Sequence, residues 1–311
     1  MTLQEASESM LLSIAQGDRK VLARAITVLE NDLEGSRELL HSLKISSSTP
    51  VVGVTGPPGA GKSTLINAMI SEFSASGKKI AVLAVDPTSP FNYGSLLADR
   101  LRMSEHFTDP NIFIRSLATR GSLGGLSEKI IEITDLLRAA DFDMIIVETV
   151  GVGQSEVEIA GLADTTLVVI VPESGDEIQT LKSGIMEIAD IFIVNKCDRE
   201  GADTLVNSLE KMLHDYRSGE WQVPVVKTSA TRKEGIKELL LSLESHSKST
   251  AQQEKKVFLL SEKAYRLIQQ TKMKGIFKLD LSNAIKQAFS KPDFNLYLFV
   301  DQYVMGKIGD S

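Results

Sequence analysis

The stretch GPPGAGKST at 56–64 carries the residue types that hold a phosphate chain. It fits the pattern G-x-x-x-x-G-K-[ST] and lies between an apolar segment, VVGVT, and a helix-forming segment, STLINAMISEF. Gly56, Gly59 and Gly61 let backbone N–H groups turn inward around an anion at the positive end of a helix. The motif therefore predicts that the chain binds a nucleoside triphosphate.

Two residues of this stretch have distinct expected tasks. Lys62 is expected to bridge the β- and γ-phosphates, and the Ser63 hydroxyl is expected to be a ligand to Mg²⁺. The predicted phosphate-binding residues are Gly56, Pro57, Pro58, Gly59, Ala60, Gly61, Lys62, Ser63 and Thr64.

A second polar stretch, ETVGVGQSE, directly follows the apolar run FDMIIV. Glu148 therefore ends a predicted buried strand, where it is expected to face the Mg²⁺ directly or through water. Gly151 is expected to place a backbone N–H against the γ-phosphate, with Gln154 nearby, so the loop predicts a sensor of the third phosphate. Asp86 and Asp99 are further candidates for the metal region, although Asp99 suits a solvated helix equally well.

The stretch IFIVNKCD ends another predicted strand with the pattern N-K-x-D. Asp198 can accept from the guanine N1–H and exocyclic amine, which adenine lacks, while the Lys196 stem lies along the ring and Asn195 holds the loop near N7. A site built on such pairing rejects an analogue without these donors by about 10⁴-fold or more. Guanine is thus the predicted base, and its O6 is expected to meet the segment Ser229, Ala230 and Thr231.

These stretches need a scaffold that brings the ends of several strands together. Uninterrupted apolar strand candidates alternate with helical stretches, which predicts an α/β fold with a mostly parallel sheet covered on both faces. The strand candidates are 51–55, 79–85, 112–117, 144–148, 166–171, 191–195 and 224–228.

Changes in composition predict three segments. A helical N-terminal extension spans 1–45, with Asp18 expected to be a helix N-cap, and a P-loop domain spans 46–248. The polar stretch ESHSKSTAQQEKK leads into a helical C-terminal segment, 249–311.

The C-terminal segment carries an apolar stripe. Val257, Leu260, Ala264 and Leu267 alternate at spacings of three and four residues, as expected for one face of a helix. Such a face packs either on its own core or on a partner chain, and the spacing alone leaves both interpretations open.

Composition excludes several classes of protein. The 311 residues carry a net charge of −7 without a basic run that would track a phosphate backbone, so nucleic acid is not an expected partner. No apolar run reaches the roughly 20 residues that span a bilayer, and the first residues lack a secretion signal, so we expect a cytosolic protein that is not embedded in a membrane. The single cysteine, Cys197, allows no intrachain disulfide and is interpreted as a small half-buried side chain.

Taken together, the motifs resemble the MeaB/ArgK type of P-loop GTPase, relatives of the methylmalonic aciduria type A protein. ETVGVGQSE and the GDEIQTLKSGI string are the specific ones, because a generic GTPase carries neither. TSPFNY at 88–93 departs from the threonine- and glycine-rich stretch usual in the family, so the first switch is expected to suit a different partner. The resemblance covers most of the chain and also includes GDRKVLARAIT, GVTGPPGAGKSTL, VLAVDPTSP, GSLLADRLRM, TRGSLGGLS, PESGDEIQTLKSGIMEIAD and NKCD.

The resemblance implies a slow GTPase that acts as a chaperone of an adenosylcobalamin-dependent acyl-CoA mutase, gating cofactor loading, release or protection. It implies GTP as substrate, GDP as product, Mg²⁺ as cofactor, and a homodimer formed through the C-terminal helices. Asp86, Asp99 and Glu148 carry over as the acids near magnesium. A second switch loop, 175–182, carries over as the part that touches the mutase, with Gly175, Asp176, Gln179 and Lys182 as its candidate residues.

Three other functions are compatible with parts of the sequence. A metal-insertion GTPase for nickel enzymes would carry a store rich in histidine or cysteine, which this chain lacks. An ArgK-type accessory kinase would need an adenine pocket, which the N-K-x-D pattern disfavours. A nucleotide-bound scaffold without turnover also fits. Arg120 is either an arginine finger or an ordinary loop residue, and without a finger hydrolysis stays slow until a partner completes the site, a gain of about 10³- to 10⁵-fold.

Overall fold

The chain divides into two compact units, residues 1–260 and 261–311. The first unit contains a seven-stranded sheet and most of the helices, and the second unit is helical. The predicted division into three segments remains a prediction. The computed structural model describes residues 2–45, 49–86, 103–118, 127, 129–149, 155–174, 185–216, 221–289 and 294–305.

The strands are β1 (Val51–Thr55), β2 (Ile80–Asp86), β3 (Ile112–Ala118), β4 (Met144–Glu148), β5 (Thr165–Ile170), β6 (Ile191–Val194) and β7 (Val225–Lys227). They form one sheet in the order β3-β2-β4-β1-β5-β6-β7, and every neighbouring pair is parallel. This confirms the predicted α/β fold. All carboxyl ends consequently lie at one edge, and β1 occupies the centre, where the strand order reverses.

The helices of the described ranges are α1 (Leu3–Ala15), α2 (Arg19–Glu30), α3 (Ser36–His41), α4 (Lys62–Ala75), α5 (Ile130–Arg138), α6 (Ser155–Ala160), α7 (Ile185–Ile188), α8 (Ala202–Tyr216), α9 (Ile236–Ser247), α10 (Thr250–Met273), α11 (Lys278–Phe289) and α12 (Leu296–Val304). The predicted N-cap of α2 is confirmed, because the Asp18 carboxylate accepts from the backbone N–H groups of Lys20 and Val21. Such a cap stabilises a helix by about 1 kcal/mol.

The core lies on both faces of the sheet, as the uninterrupted apolar strands require. Along β5, Leu167 and Val169 pack in a cluster with α4 and α9, whereas Val168 and Ile170 pack in a cluster with α7 and α8. The alternation follows from the two-residue period of a strand. Since all of β5 is buried, its four apolar side chains contribute roughly 1.5–3 kcal/mol each through removal of apolar surface from water.

Charged side chains attach the N-terminal helices to this α/β core. Arg115 in β3 donates to the Glu30 carboxylate at the end of α2, with 2.9 Å between nitrogen and oxygen. The Arg19 guanidinium lies 4.1 Å from the centre of the Phe142 ring, a cation–π distance. The helical lead-in is therefore a packed part of the first unit.

Three of the four residues in the predicted apolar stripe on α10 are exposed in the single chain, and Leu267 is half-buried. Val257 is 71% exposed and Leu260 is 66% exposed, and Ala264 is exposed as well. The second unit, taken by itself, has a small aromatic cluster in which the Phe299 ring centre lies 6.1 Å from that of Phe294 and 5.8 Å from that of Tyr303. Within the described ranges, no helix combines the length and apolar character needed to cross a membrane.

Gly53, in the middle of β1, tests how tightly α6 and the segment after it pack on the sheet. A Cβ at this position would lie 2.9 Å from the Ala163 Cβ and would overlap Ile159. We expect Gly53→Ala to lower the free energy of unfolding by about 1–3 kcal/mol, because the core has no room for the added methyl group. Denaturant titration measures this. Gly161→Ala is the matched control, since its Cβ would lie 3.5 Å from the Glu158 carbonyl oxygen, an ordinary contact. Equal stability losses in both variants would contradict this packing.

Candidate functional site

The candidate site lies where β1, β4 and β6 end at the carboxyl edge of the sheet. Residues 56–61 leave β1 and lead directly into α4, whose first residue is Lys62. The first turn of any helix has backbone N–H groups without an intrahelical acceptor, so this loop ends in a set of donors suited to an anion. Parallel topology places the ends of β4 and β6 on the same edge.

Two glycines of this loop are required by the backbone and its neighbours. Gly56 has φ +140°, and a Cβ there would overlap the Val169 carbonyl oxygen on β5. Gly61 has φ +88°, and a Cβ there would lie 2.5 Å from the Asn195 amide nitrogen. A Cβ on Gly59 would meet no atom within 4 Å, so its side-chain position points to open space.

The Lys62 side chain is buried and folds back along the loop. Its ammonium group donates to the carbonyl oxygens of Gly56 at 2.8 Å and Pro57 at 3.2 Å. The charged end is thus held over the loop that precedes the helix. Of the other predicted loop residues, Ala60 is buried, Thr64 is half-buried, and Pro58 is exposed.

Ser63 and Glu148, predicted from two separate motifs, are in direct contact. The Ser63 hydroxyl donates to Glu148 Oε1 over 2.7 Å, and both residues are buried, with 4% and 5% of their surfaces exposed. The strand register explains the meeting, because Glu148 at the end of β4 lies opposite Val54 near the end of β1. Just beyond them, Thr149 donates to the Thr55 hydroxyl at 2.9 Å, which ties the two strand ends together.

The oxygen atoms of this pair suit a hard divalent cation. Mg²⁺ is bound by hydroxyl, carboxylate, phosphate and water oxygens, and Ser63 and Glu148 present two of these types side by side. Asp86 is the last residue of β2, and Ala84 two positions earlier pairs with Glu148, so the backbone of Asp86 lies at the same sheet edge. The predicted Asp99 lies outside the described residues.

The loop after β6 is joined to the phosphate loop by the Asn195 amide. Its nitrogen donates to the Ala60 carbonyl oxygen at 2.8 Å. Its oxygen accepts from the Thr228 hydroxyl at 3.1 Å and from the Ala230 backbone N–H at 3.2 Å. Asn195 is almost fully buried, and one side chain therefore connects three loops.

Asp198 lies beyond this junction, with donors on both carboxylate oxygens. The Ser229 hydroxyl donates to Oδ1 at 2.8 Å, and the Arg232 guanidinium lies 3.5 Å from Oδ2. The hydrogen bond from Ser229, with smaller charge effects from Arg232 and Arg199, holds the pKa of the Asp198 carboxyl below its ordinary value. The group therefore stays ionised at neutral pH, as an acceptor for base N–H groups must be.

The other two residues of the N-K-x-D stretch have different environments. Lys196 adopts the left-handed conformation, with φ +57°, which turns the chain sharply after Asn195. Burial raises the pKa of the Cys197 thiol above its ordinary value, so the neutral thiol dominates at pH 7. Cys197 is half-buried, which agrees with its interpretation as a packing residue rather than a nucleophile.

Sequence reasoning did not single out Thr228 or Arg232. Thr228 stands beside the Ser229–Ala230 pair in KTSAT, so its hydroxyl was available as a signal. No sequence signal pointed to Arg232, because it approaches Asp198 only through the path of the turn Ala230–Arg232. Of the predicted base-site residues, Ser229 and Ala230 are buried and Thr231 is exposed.

Several predicted functional residues lie outside the described part of the chain. They belong to the segment after β4, to the segment before α5, and to the segment between β5 and α7. These residues are Arg120, Gly151, Gln154, Gly175, Asp176, Gln179 and Lys182.

An all-parallel sheet with a glycine-rich loop between its central strand and a helix defines a P-loop nucleotide-binding protein of the α/β class. Comparison with known proteins narrows the class. The chain matches the family model of the methylmalonyl-CoA mutase-associated GTPase MeaB over residues 22–284. The chain therefore belongs to the MeaB family of P-loop GTPases, which confirms the resemblance seen in its motifs.

Individual relatives agree with this assignment. A protein of Pyrococcus abyssi is 48% identical over 244 residues, which cover 77% of this chain and 75% of the relative. The GTPase ArgK of Escherichia coli is 35% identical over 294 residues, covering 91% of this chain and 86% of ArgK. A crystal structure of an LAO/AO transport system kinase superposes with a TM-score of 0.69 at 28% identity, and the match covers 97% of both chains.

The Asn195 junction makes a prediction that needs no nucleotide. Asn195→Ala leaves the Ala60 carbonyl and the Ala230 N–H, both buried, without their partner, and each such group costs about 1–3 kcal/mol. We expect the nucleotide-free variant to lose at least about 1 kcal/mol of unfolding free energy, measured by denaturant titration. Asn207→Ala on the exposed face of α8 is the control. If the two variants are equally stable, Asn195 does not join the loops.

Proposed function

We propose that this protein binds GTP with Mg²⁺, hydrolyses it to GDP and phosphate, and uses the difference between the two states to act on an adenosylcobalamin-dependent acyl-CoA mutase. The observation that carries the proposal is the Asn195 junction, which fastens a phosphate loop to a loop suited to guanine. Membership of the MeaB family suggests the mutase partner, because this family is that of a methylmalonyl-CoA mutase-associated GTPase.

On the phosphate side, the chain provides N–H donors and one movable cation. The loop 56–61 and the first turn of α4 surround the β- and γ-phosphates with backbone donors. Lys62 now donates to the carbonyls of Gly56 and Pro57, and these neutral acceptors are weaker than phosphate oxygens. We therefore expect Lys62 to turn toward the phosphates and bridge them when they are bound.

Ser63 and Glu148 together prepare the magnesium position. The Ser63 hydroxyl donates its proton to Glu148 Oε1, and the Ser63 oxygen is the proposed ligand to Mg²⁺. Asp86 and Asp99 complete the proposed set of acids, through water or directly. When bound, the Mg²⁺ neutralises charge that develops on the β- and γ-phosphate oxygens.

On the base side, Asp198 is the proposed acceptor for the N1–H and exocyclic amine of guanine. Its lowered pKa keeps the carboxylate ionised for this purpose. The Lys196 stem is proposed to lie along the ring, and the backbone of Ser229, Ala230 and Thr231 to meet the guanine O6. The burial of Ser229 and Ala230 supports a fixed rather than adaptable contact.

Hydrolysis is proposed to occur beyond the end of β4. A water attacks the γ-phosphorus, the bond from phosphorus to the β,γ-bridging oxygen breaks, and that oxygen leaves with GDP. The water oxygen stays on the released phosphate, and one of its protons passes to a phosphate oxygen or to solvent. Gly151 and Gln154 are proposed to position the γ-phosphate and the water. The reaction is expected to be slow until a partner completes the site, because no arginine in the sequence is clearly placed as a finger for the transition-state charge. Arg120 is either a candidate finger or an ordinary loop residue.

The segment 175–182 is proposed to carry the nucleotide state to the mutase. In the sequence it directly follows the short helical turn Pro172–Ser174, which comes after the carboxyl end of β5. Gly175, Asp176, Gln179 and Lys182 are the proposed contacts. Two copies of the chain are proposed to associate through the exposed stripe of α10, since Val257 and Leu260 face solvent in the single chain.

One observation favours a second candidate, an accessory kinase of amino-acid transport. The structural relative with a TM-score of 0.69 is named an LAO/AO transport system kinase. A kinase would transfer the γ-phosphoryl group to protein, whereas the proposed GTPase releases it as phosphate. GTP labelled at the γ-phosphate separates them, and stable label on protein instead of free phosphate would replace the leading proposal. Bound GTP with neither product would indicate a scaffold.

Glu148→Ala tests the proposed metal position. Loss of a group that orients a metal ligand typically costs about 10- to 100-fold in activity, so we expect turnover to fall by this amount while Mg²⁺-free GDP still binds. Lys62→Ala and Ser63→Ala are expected to abolish productive Mg·GTP binding. Glu210→Ala, an exposed carboxylate on α8, is the control. Native turnover by Glu148→Ala in the presence of the mutase would show that this carboxylate has no role at the metal.

Gln179→Ala and Lys182→Ala test the proposed coupling to the mutase. We expect both variants to keep nucleotide affinity and basal turnover, and to lose the acceleration caused by the mutase, because the segment transmits rather than performs the chemistry. GTP turnover is measured with and without a cobalamin mutase captured on GTP-loaded protein. Lys211→Ala on α8 controls for loss of a surface charge. Full stimulation of both variants would place the switch elsewhere.

A further inference from the structure

Arg232 occupies a position that the proposed guanine site needs for the base. Its guanidinium Nη2 lies 3.5 Å from Asp198 Oδ2, while Oδ1 accepts from the Ser229 hydroxyl. Guanine requires both carboxylate oxygens at once, one for N1–H and one for the exocyclic amine. Of these two oxygens, Oδ2 has a cation of the same chain beside it.

The turn that carries Arg232 is built to hold it there. Arg232 ends a short helical turn that begins at Ala230, and its backbone N–H donates to the Ser229 carbonyl at 3.0 Å. Ser229 and Glu234 exchange two backbone bonds, at 3.1 and 3.2 Å, which close the turn. A Cβ on Gly235 would overlap the Lys227 carbonyl, so the chain must return closely past β7. The turn therefore fixes the backbone position from which the Arg232 side chain extends.

The Arg232 guanidinium and the edge of guanine that faces Asp198 carry similar donors. The guanidinium is planar and presents N–H donors in a fork, and the edge of guanine that faces Asp198 presents N1–H and an amine attached to one carbon. We propose that Arg232 is an internal surrogate for guanine, which occupies Asp198 Oδ2 while the site is empty and must yield it to the exocyclic amine of the base. This inference rests on the proposed guanine site and adds a residue that sets its selectivity.

The exposure of the pair determines how strongly Arg232 competes. The Arg232 side chain is 58% exposed and that of Asp198 is 24% exposed, so water screens their attraction. Exposed ion pairs of this kind correspond to at most about a fivefold effect on an equilibrium. Arg232 is therefore displaceable, and its competition is expected to weaken guanine binding by about two- to fivefold.

Inosine diphosphate separates this competition from all other contacts. Hypoxanthine keeps N1–H and O6 but lacks the exocyclic amine, so it needs one oxygen of Asp198 and leaves Arg232 in place. Its phosphates are identical to those of GDP. The phosphate contribution therefore cancels in the ratio of the two dissociation constants, and the ratio measures competition between Arg232 and the exocyclic amine for Asp198 Oδ2.

The experiment measures the dissociation constants of GDP, inosine diphosphate and ADP for the native full-length chain and three variants. Arg232→Ala is expected to bind GDP about two- to fivefold more tightly, with inosine diphosphate unchanged. Arg232→Lys keeps the charge without the planar fork, and its GDP affinity is expected to lie between those of the native chain and Arg232→Ala. Lys237→Ala, an exposed lysine on α9, removes the same charge and is expected to leave the ratio unchanged. Added salt should raise the native ratio toward that of Arg232→Ala, because it screens the ion pair.

The outcomes are distinguishable. A ratio of GDP to inosine diphosphate affinity that is unchanged or lower in Arg232→Ala overturns the surrogate, and so does a native ratio that does not move with salt. If the native chain prefers GDP to ADP in either of these cases, the guanine site stands without the surrogate. If the native chain binds ADP as tightly as GDP, the proposed base specificity itself fails. Arg232 is exposed, so its removal is not expected to unfold the protein, and a melting curve checks this.

Discussion

The Asn195 amide is the contact on which the site depends, because it is bonded to the phosphate loop and to the base-side loop at once. Its nitrogen donates to the Ala60 carbonyl, and its oxygen accepts from Thr228 and the Ala230 N–H. The close approach is possible only because residue 61 is glycine. A shift of any of these loops would leave a buried polar group without a partner, and the three loops are therefore fixed relative to one another.

The parallel sheet supplies the second condition for chemistry. It brings the end of β4 against the start of α4, so that Glu148 accepts from Ser63 although the two residues are 85 positions apart in the chain. The groups proposed to hold phosphate, magnesium and base are thereby set on rigid elements before any ligand arrives. Such preorganisation reduces the reorganisation needed during the reaction.

The sequence predicted the scaffold well because its signals are local. The inner strands are buried on both faces and appear in the sequence as uninterrupted apolar runs, whereas the edge strands β3 and β7 are only partly buried. All seven strands were predicted to within one residue at each boundary. The contact between Ser63 and Glu148 follows from topology, because parallel strands end at one edge. The donor groups around Asp198 could not be predicted in this way. Arg232 reaches Oδ2 through the path of a turn, and no periodic pattern records the direction of an exposed side chain. The spacing of apolar residues predicted the stripe on α10, but it could not show whether that face packs on the core or is exposed.

The central claim is that the phosphate loop and the base-side loop form one site for a guanine nucleotide. The most direct measurement is the affinity of the native chain for fluorescent GDP and fluorescent ADP, with the same comparison for Asp198→Asn. The account predicts a strong preference of the native chain for GDP and a marked loss of that preference in the variant, because only guanine offers donors to both oxygens of Asp198. Equal affinities of the native chain for GDP and ADP would contradict it.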